Sequence, residues 1–273
     1  MTTAVEDIKN EEDVVSVTEN EVDLFDFAYC STKEGYANML QYLSAAAENE
    51  PWSFDDTPNS ILYKYIRGTF KQCYKQEKIL YSNDQQYCCF NTGLLTPNGH
   101  DIVMLFEKNN RQDAQEWYLK GFKNITERTY MNIFSEIPKL AQYTEKYEEL
   151  YFNPELPIVI NTDHILDDNW ERISTVVPLS KSIVKGLLIG VVEETKRKIK
   201  RNMRLVVPQF YKNTIMYLMP ISIPISDNDF VTMALAVELT NTNQYRANTI
   251  FTKEMAYEKA RLLMKPESNW LIG

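Results

Sequence analysis

Tyr36, Met39, Leu40 and Leu43 recur three or four positions apart, which predicts a helix over residues 33–48 that Pro51 ends. A second stripe, Ile61, Leu62, Tyr65, Ile66, Thr69, Phe70 and Cys73, predicts an amphipathic helix over 58–78, opened by Pro58 and Asn59. Arg67, Lys71 and Lys75, four apart, line another of its faces. The pattern then changes to short β-type runs at 78–82, 87–95, 101–107 and 117–122. Asn83-Asp84 and Pro97-Asn98-Gly99 supply turns, so an antiparallel meander is expected. Further on, a helix is expected over 137–150, a strand over 156–161 and a loop over 163–169.

Pro178 and Ser180 introduce a long helix over 181–203, apolar in its first half and basic in its second, with Pro208 stopping any continuation. Strands follow at 214–221, 230–239 and 245–251, and Thr252 is placed to cap a terminal helix over 253–264. This order predicts an α+β fold of mainly antiparallel, curved sheet with flanking helices, forming a single compact domain over 22–273. Residues 1–21, rich in Glu and Asp without a sustained period, are expected to form a disordered acidic tail.

Composition narrows the classes. At 44% hydrophobic and 25% charged residues the chain is ordinary globular protein, not bulk disorder or a collagen-like array. No apolar run approaches the roughly 20 residues of a membrane-spanning helix. The start, Met-Thr-Thr-Ala-Val-Glu-Asp, lacks the basic and apolar segments of a secretory signal, so a cytoplasmic location with no membrane partner is expected. Cys30, Cys73, Cys88 and Cys89 form no CxxC pair and are expected to be reduced core residues. A net charge of -9 disfavours non-specific nucleic-acid binding outside a local basic patch.

Candidate chemistry falls in five places, most with a plainer structural reading. Asn91, Thr92 and Gly93 interrupt a strand, either freeing backbone amides for phosphate or a base, or forming a bulge that bends the sheet. Asp163, His164, Asp167 and Asp168 gather carboxylates with a histidine, suited to acid–base catalysis or to Mg²⁺ or Mn²⁺, or else to loop caps. Arg201 and Arg204 belong to a cationic cluster with Lys196, Arg197, Lys198 and Lys200, which suits phosphate or complements the helix dipole. Gln209 and Tyr211 add hydrogen-bonding and stacking groups, and Tyr257 and Arg261, four apart, form either a recognition face or an anchor to the sheet. The P-loop, dinucleotide, nucleophile-elbow and HExxH signatures are absent.

Taken in order, Leu24-Phe25-Asp26-Phe27-Ala28-Tyr29, Phe90-Asn91-Thr92-Gly93-Leu94, Asp163-His164-Ile165-Leu166, Val207-Pro208-Gln209-Phe210-Tyr211, Ala256-Tyr257, Ala260-Arg261-Leu262 and Trp270-Leu271 resemble the uncharacterised family called domain of unknown function 3825. The resemblance runs from about Asp23 to Leu271. It carries no activity, but implies an association with LOTUS-type winged-helix and cold-shock modules and hence with RNA. Lys259 stands where the family pattern leads one to expect asparagine.

The leading expectation is RNA or nucleotide binding, with processing of a phosphate-containing ligand as an extension. Arg67, Lys71, Arg201 and Arg204 would meet phosphate, and Gln209, Tyr211, Tyr257 and Arg261 base or sugar, beside the bend at Asn91, Thr92 and Gly93. Hydrolysis would call on Asp163, Asp167 and Asp168 to hold a metal or activate water. The rivals are a non-catalytic domain for a protein partner or self-association, and an enzyme acting on a small nucleotide signal.

Overall fold

The computed structural model describes residues 22–111 and 113–272, so the expected acidic tail lies outside the described residues. In chain order the elements are α1 (Leu24–Phe27), β1 (Ala28–Tyr29), α2 (Lys33–Ala46), α3 (Ser60–Lys75), β2 (Leu80–Tyr81), β3 (Tyr87–Leu95), β4 (Asp101–Lys108), β5 (Trp117–Asn124) and α4 (Arg128–Met131). They continue as β6 (Ile158–Val159), α5 (Thr162–Ser174), α6 (Lys181–Ile199), β7 (Val207–Tyr211), β8 (Thr214–Pro224), β9 (Phe230–Leu239), β10 (Tyr245–Phe251), α7 (Lys253–Arg261) and α8 (Asn269–Ile272). The fold is α+β. Its strands form two sheets ordered β1-β5-β4-β3-β2 and β6-β10-β9-β8-β7. Pairing is antiparallel except where β1 joins β5 and β6 joins β10.

Strand alternation decides which layer each sheet faces. In β8, Ile215, Tyr217, Met219, Ile221 and Ile223 point to one core, against α5 and α6, while Met216 and Leu218 point to another. In β9, Met233, Leu235 and Val237 accompany the first set and Ala234 and Ala236 the second. The first sheet alternates likewise: Ile102, Met104 and Phe106 of β4 enter the core shared with the second sheet, and Val103 and Leu105 pack on Tyr130 and Phe134. The shared core is therefore sandwiched between the two sheets. The apolar face of α3 and the buried face of α7, Ala256, Tyr257, Ala260 and Arg261, fill it. Full burial of a side chain such as Phe70 contributes about 1.5–3 kcal/mol.

Thr252 caps α7 by accepting from the Met255 amide at 3.4 Å. Where α3 meets α7 the residue is Gly68, and a Cβ there would lie 2.6 Å from Leu262 Cδ1. The missing side chain lets the two helices approach and brings Arg261 down onto Tyr65 of α3.

Three expectations need correction. Residues 137–150 are not a helix; only the 3-10 turn Tyr147–Leu150 forms. Polar side chains take this segment's backbone instead: Gln72 and Gln76 donate to the Gln142 carbonyl, Lys78 to that of Leu140 and Asn91 to that of Pro138. Asp163, His164, Asp167, Asp168 and Asn169 are not in a loop but in α5, because the Asn161 side chain caps it by accepting from the His164 amide at 3.2 Å. The helix expected over 181–203 stops at Ile199, and residues 207–211 beyond it carry an element that the periodicity does not announce. They form β7, and Pro208 is tolerated because β7 is an edge strand.

The four cysteines are buried and unpaired. Burial pushes the thiols of Cys30 and Cys73 up to about 12, leaving them unreactive at neutral pH. No helix among the described residues is long and apolar enough to cross a membrane.

Candidate ligand pocket

A cavity of about 300 Å³ opens where α3, the end of β3, the end of α7 and the extended 140–143 segment converge. Its polar lining consists of Glu50, Tyr65, Thr69, Tyr143 and Arg261, with Glu48 and Lys265 paired at 3.9 Å toward its exposed side.

The β3 wall is built by a bulge. Pairing with β4 slips between Asn91 and Leu94, and Gly93 takes a φ of 74°, a conformation that L side chains rarely adopt. Asn91 fixes the bend, its Oδ1 accepting from the Gly93 amide at 2.9 Å while its amide donates to Asp101 at 2.8 Å. The Thr92 hydroxyl donates to the Ile102 carbonyl, and the carbonyl of Thr92 accepts from the Tyr65 hydroxyl at 2.8 Å. The bulge thus orients Tyr65. The bulge reading of this motif is the one the structure shows: the Gly93 amide donates to Asn91 and the Leu94 amide to the Thr92 hydroxyl, so neither is free for phosphate, while Gly93 also lines the cavity.

Arg261 is the central charge. Its side chain is 8% exposed and that of its partner Glu50 is 3% exposed, so the pair is withdrawn from water. Arg261 Nε donates to Glu50 Oε1, and the Tyr257 hydroxyl donates to the same oxygen at 3.0 Å. The guanidinium carbon sits 4.3 Å from the centre of the Tyr65 ring and 5.1 Å from that of Trp52, within cation–π range of both. Burial alone would lower the Arg261 pKa, but Tyr65 and Glu50 reverse it, and the group stays charged. Desolvation raises the phenol pKa values of Tyr65, Tyr143 and Tyr257, so all three are protonated donors at neutral pH.

Two hydroxyls in this cavity, Thr69 Oγ1 and Tyr143 Oη, are buried without a hydrogen bond of ordinary geometry among the described residues; the Thr69 hydroxyl lies near enough to those of Tyr143 and Tyr65 to interact with them, but not at a distance and angle that satisfy it. Buried polar groups are usually paired, and leaving one unpaired costs about 1–3 kcal/mol.

The structure brings together part of the residue set expected from sequence. Gly93 and Arg261 line the cavity, Tyr257 holds Glu50 behind it, and Asn91 and Thr92 shape its wall. Arg67 and Lys71 turn instead to Asp23, at 2.7 and 3.7 Å. Arg201 and Arg204 are exposed past the end of α6, and Arg201 donates to the Arg197 carbonyl. Gln209 is buried in β7 without lining the cavity, and Tyr211 is exposed with Lys212 5.3 Å above its ring.

The α5 carboxylates form no shared site. Asp163 pairs with Lys185, Asp167 with Lys181 and Asp168 with His164, all on exposed side chains. Among the described residues no group of three or more His, Cys, Asp or Glu is arranged to hold a metal ion. Glu50, Tyr65, Thr69 and Tyr143 escaped sequence-level attention as site residues. The one available signal was Thr69, a hydroxyl inside the apolar stripe of α3.

The sequence matches the family described as domain of unknown function (DUF3825) over residues 43–270. No curated protein and no solved structure matches it.

Proposed function

The chain belongs to the DUF3825 family, and on that premise we propose that it binds a nucleotide, free or at the exposed end of an RNA strand, with the base inserted into the cavity beneath Arg261. The observation that carries this reading is the pair of buried hydroxyls on Thr69 and Tyr143, without a hydrogen bond of ordinary geometry, in a cavity that also presents a charged guanidinium. A base supplies both donors and acceptors along its edge, so it can satisfy such hydroxyls. At about 300 Å³ the space stands at the small end of ligand pockets, which suits one base rather than a stacked run. Because Glu50 neutralises Arg261, the interior favours a polar planar group over a phosphate, which is left to the rim at Lys265.

The experiment is thermal denaturation of the full chain with the four ribonucleoside monophosphates and with short single-stranded RNA. A ligand that binds only the folded state raises Tm in proportion to the logarithm of its concentration above Kd. The reading expects such a rise with at least one nucleotide. Unchanged Tm with all of them at millimolar concentration contradicts it.

A second reading, docking of an acidic protein surface or another copy of the chain, draws on a different observation. Arg197, Arg201 and Arg204 are exposed at the end of α6 and form no ion pair with a carboxylate among the described residues. Association that weakens steeply with salt, in the absence of any nucleotide effect, would favour it.

A further inference from the structure

Glu50 uses only one of its two oxygens. Arg261 Nε and the Tyr257 hydroxyl both donate to Oε1, while Oε2 has no hydrogen bond among the described residues. The side chain is 97% withdrawn from water and lines the cavity. We infer that Glu50 Oε2 is a base reader, and that the cavity selects bases carrying an exocyclic amino group over their keto counterparts. This rests on the nucleotide reading above and adds the class of base.

The argument is one of hydrogen-bond sign. A carboxylate in an ion pair with a guanidinium only accepts. Cytosine, adenine and guanine each offer an amino group that can donate to a lone acceptor. Uracil and hypoxanthine replace an amino group with a carbonyl or lack one, and the donor left on that edge is a ring N–H beside a carbonyl oxygen, so bringing it to Oε2 also brings an acceptor toward the carboxylate. A carbonyl brought to Oε2 would set acceptor against acceptor beside a carboxylate whose side chain is 3% exposed. The hydroxyls of Thr69 and Tyr143 do not impose this choice, because each can donate or accept.

The arrangement around Oε1 makes the inference sharper. In Glu50→Gln the two donors from Arg261 and Tyr257 require the amide oxygen at the Oε1 position, so the amide nitrogen must occupy the Oε2 position. The reader then becomes a donor, and the preference must move toward keto bases. A purely structural role for Glu50 would weaken all nucleotides together and leave their ratio unchanged.

The test is calorimetric titration of the full chain with two matched pairs, CMP against UMP and GMP against IMP. The expected result is at least about tenfold tighter binding of the amino member of at least one pair, the effect of about one misplaced buried hydrogen bond. In Glu50→Gln the same ratio falls or inverts. Equal affinities within both pairs would overturn the base-reader inference while leaving the nucleotide pocket standing. Binding of none of the four, nor of AMP, would overturn both. If Glu50→Gln does not fold, the matched pairs on the unaltered chain decide the matter alone.

Discussion

The acidic face of α5 and the cavity beneath Arg261 contrast in almost every respect that matters for chemistry. The first gathers Asp163, His164, Asp167 and Asp168 within two helical turns, yet each is exposed and either Lys181, Lys185 or a neighbour on the same helix answers it. The second draws single residues from distant parts of the chain: Glu50, Tyr65, Thr69, Tyr143 and Arg261. They are withdrawn from water and two of their hydroxyls lack a hydrogen bond of ordinary geometry. Density of functional groups along a sequence is therefore a poor guide to a site. Burial raises the strength of each polar interaction, and an unmet hydrogen bond marks where a ligand has something to gain.

The contrast is broken most severely by removing one member of the buried ion pair. Arg261→Ala leaves the Glu50 carboxylate desolvated with only the Tyr257 hydroxyl to answer it, and a loss of about 3–5 kcal/mol in urea denaturation is expected. A loss below about 1 kcal/mol would mean that the pair is better hydrated than its burial implies. Next comes Gly93→Ala. Its φ of 74° is unfavourable for alanine, and the added Cβ would lie 2.7 Å from the Tyr65 hydroxyl that the bulge positions. A loss of about 1–2 kcal/mol is expected from the backbone alone, with weaker ligand binding because Tyr65 must move.

A smaller effect distinguishes the half-buried cluster around Asp23. Partial burial pulls its pKa upward, but the hydrogen bond from Arg67, the Phe25 amide and the charges of Arg67 and Lys71 outweigh this and lower it below 3.8. Protons therefore bind the unfolded chain more readily. The stabilisation is fully present above the unfolded value and is lost as pH falls from there through the lowered folded value. Asp23→Asn should remove that part of the acid limb in a pH series of Tm values, and an unchanged limb would deny the pairing. Smallest of all, Asp163→Asn combined with Asp168→Asn should shift neither the urea midpoint nor nucleotide affinity, since exposed pairs are screened by water. Loss of binding there would move the site to α5.

Much of the scaffold was legible because periodicity and burial coincide. The strands at 87–95, 230–239 and 245–251 and the stripe of α3 follow directly from alternation and from the spacing of three and four. Residues 137–150 misled because their apolar spacing suggested a helix, while the carbonyls were claimed by Gln72, Gln76, Lys78 and Asn91, contacts that no local pattern records. The site was legible only in halves. Gly93 drew attention as a strand interruption and Arg261, with Tyr257, as a recognition face or an anchor, but Glu50 lies beyond the helix expected over 33–48 and Tyr143 inside the one expected over 137–150. Their meeting depends on the close crossing of α3 and α7 at Gly68, which is a tertiary fact.

The most direct measurement joins stability and binding in one variant, Thr69→Val with Tyr143→Phe. Both replacements keep shape and delete hydroxyls that have no hydrogen bond of ordinary geometry among the described residues. If those hydroxyls wait for a ligand, the variant should be at least as stable as the parent, with up to about 1–2 kcal/mol gained. Its nucleotide affinity, read from Tm against ligand concentration, should fall about tenfold or more. A variant that binds nucleotide as tightly as the parent would contradict the account, because the unmet hydroxyls would then have no part in recognition.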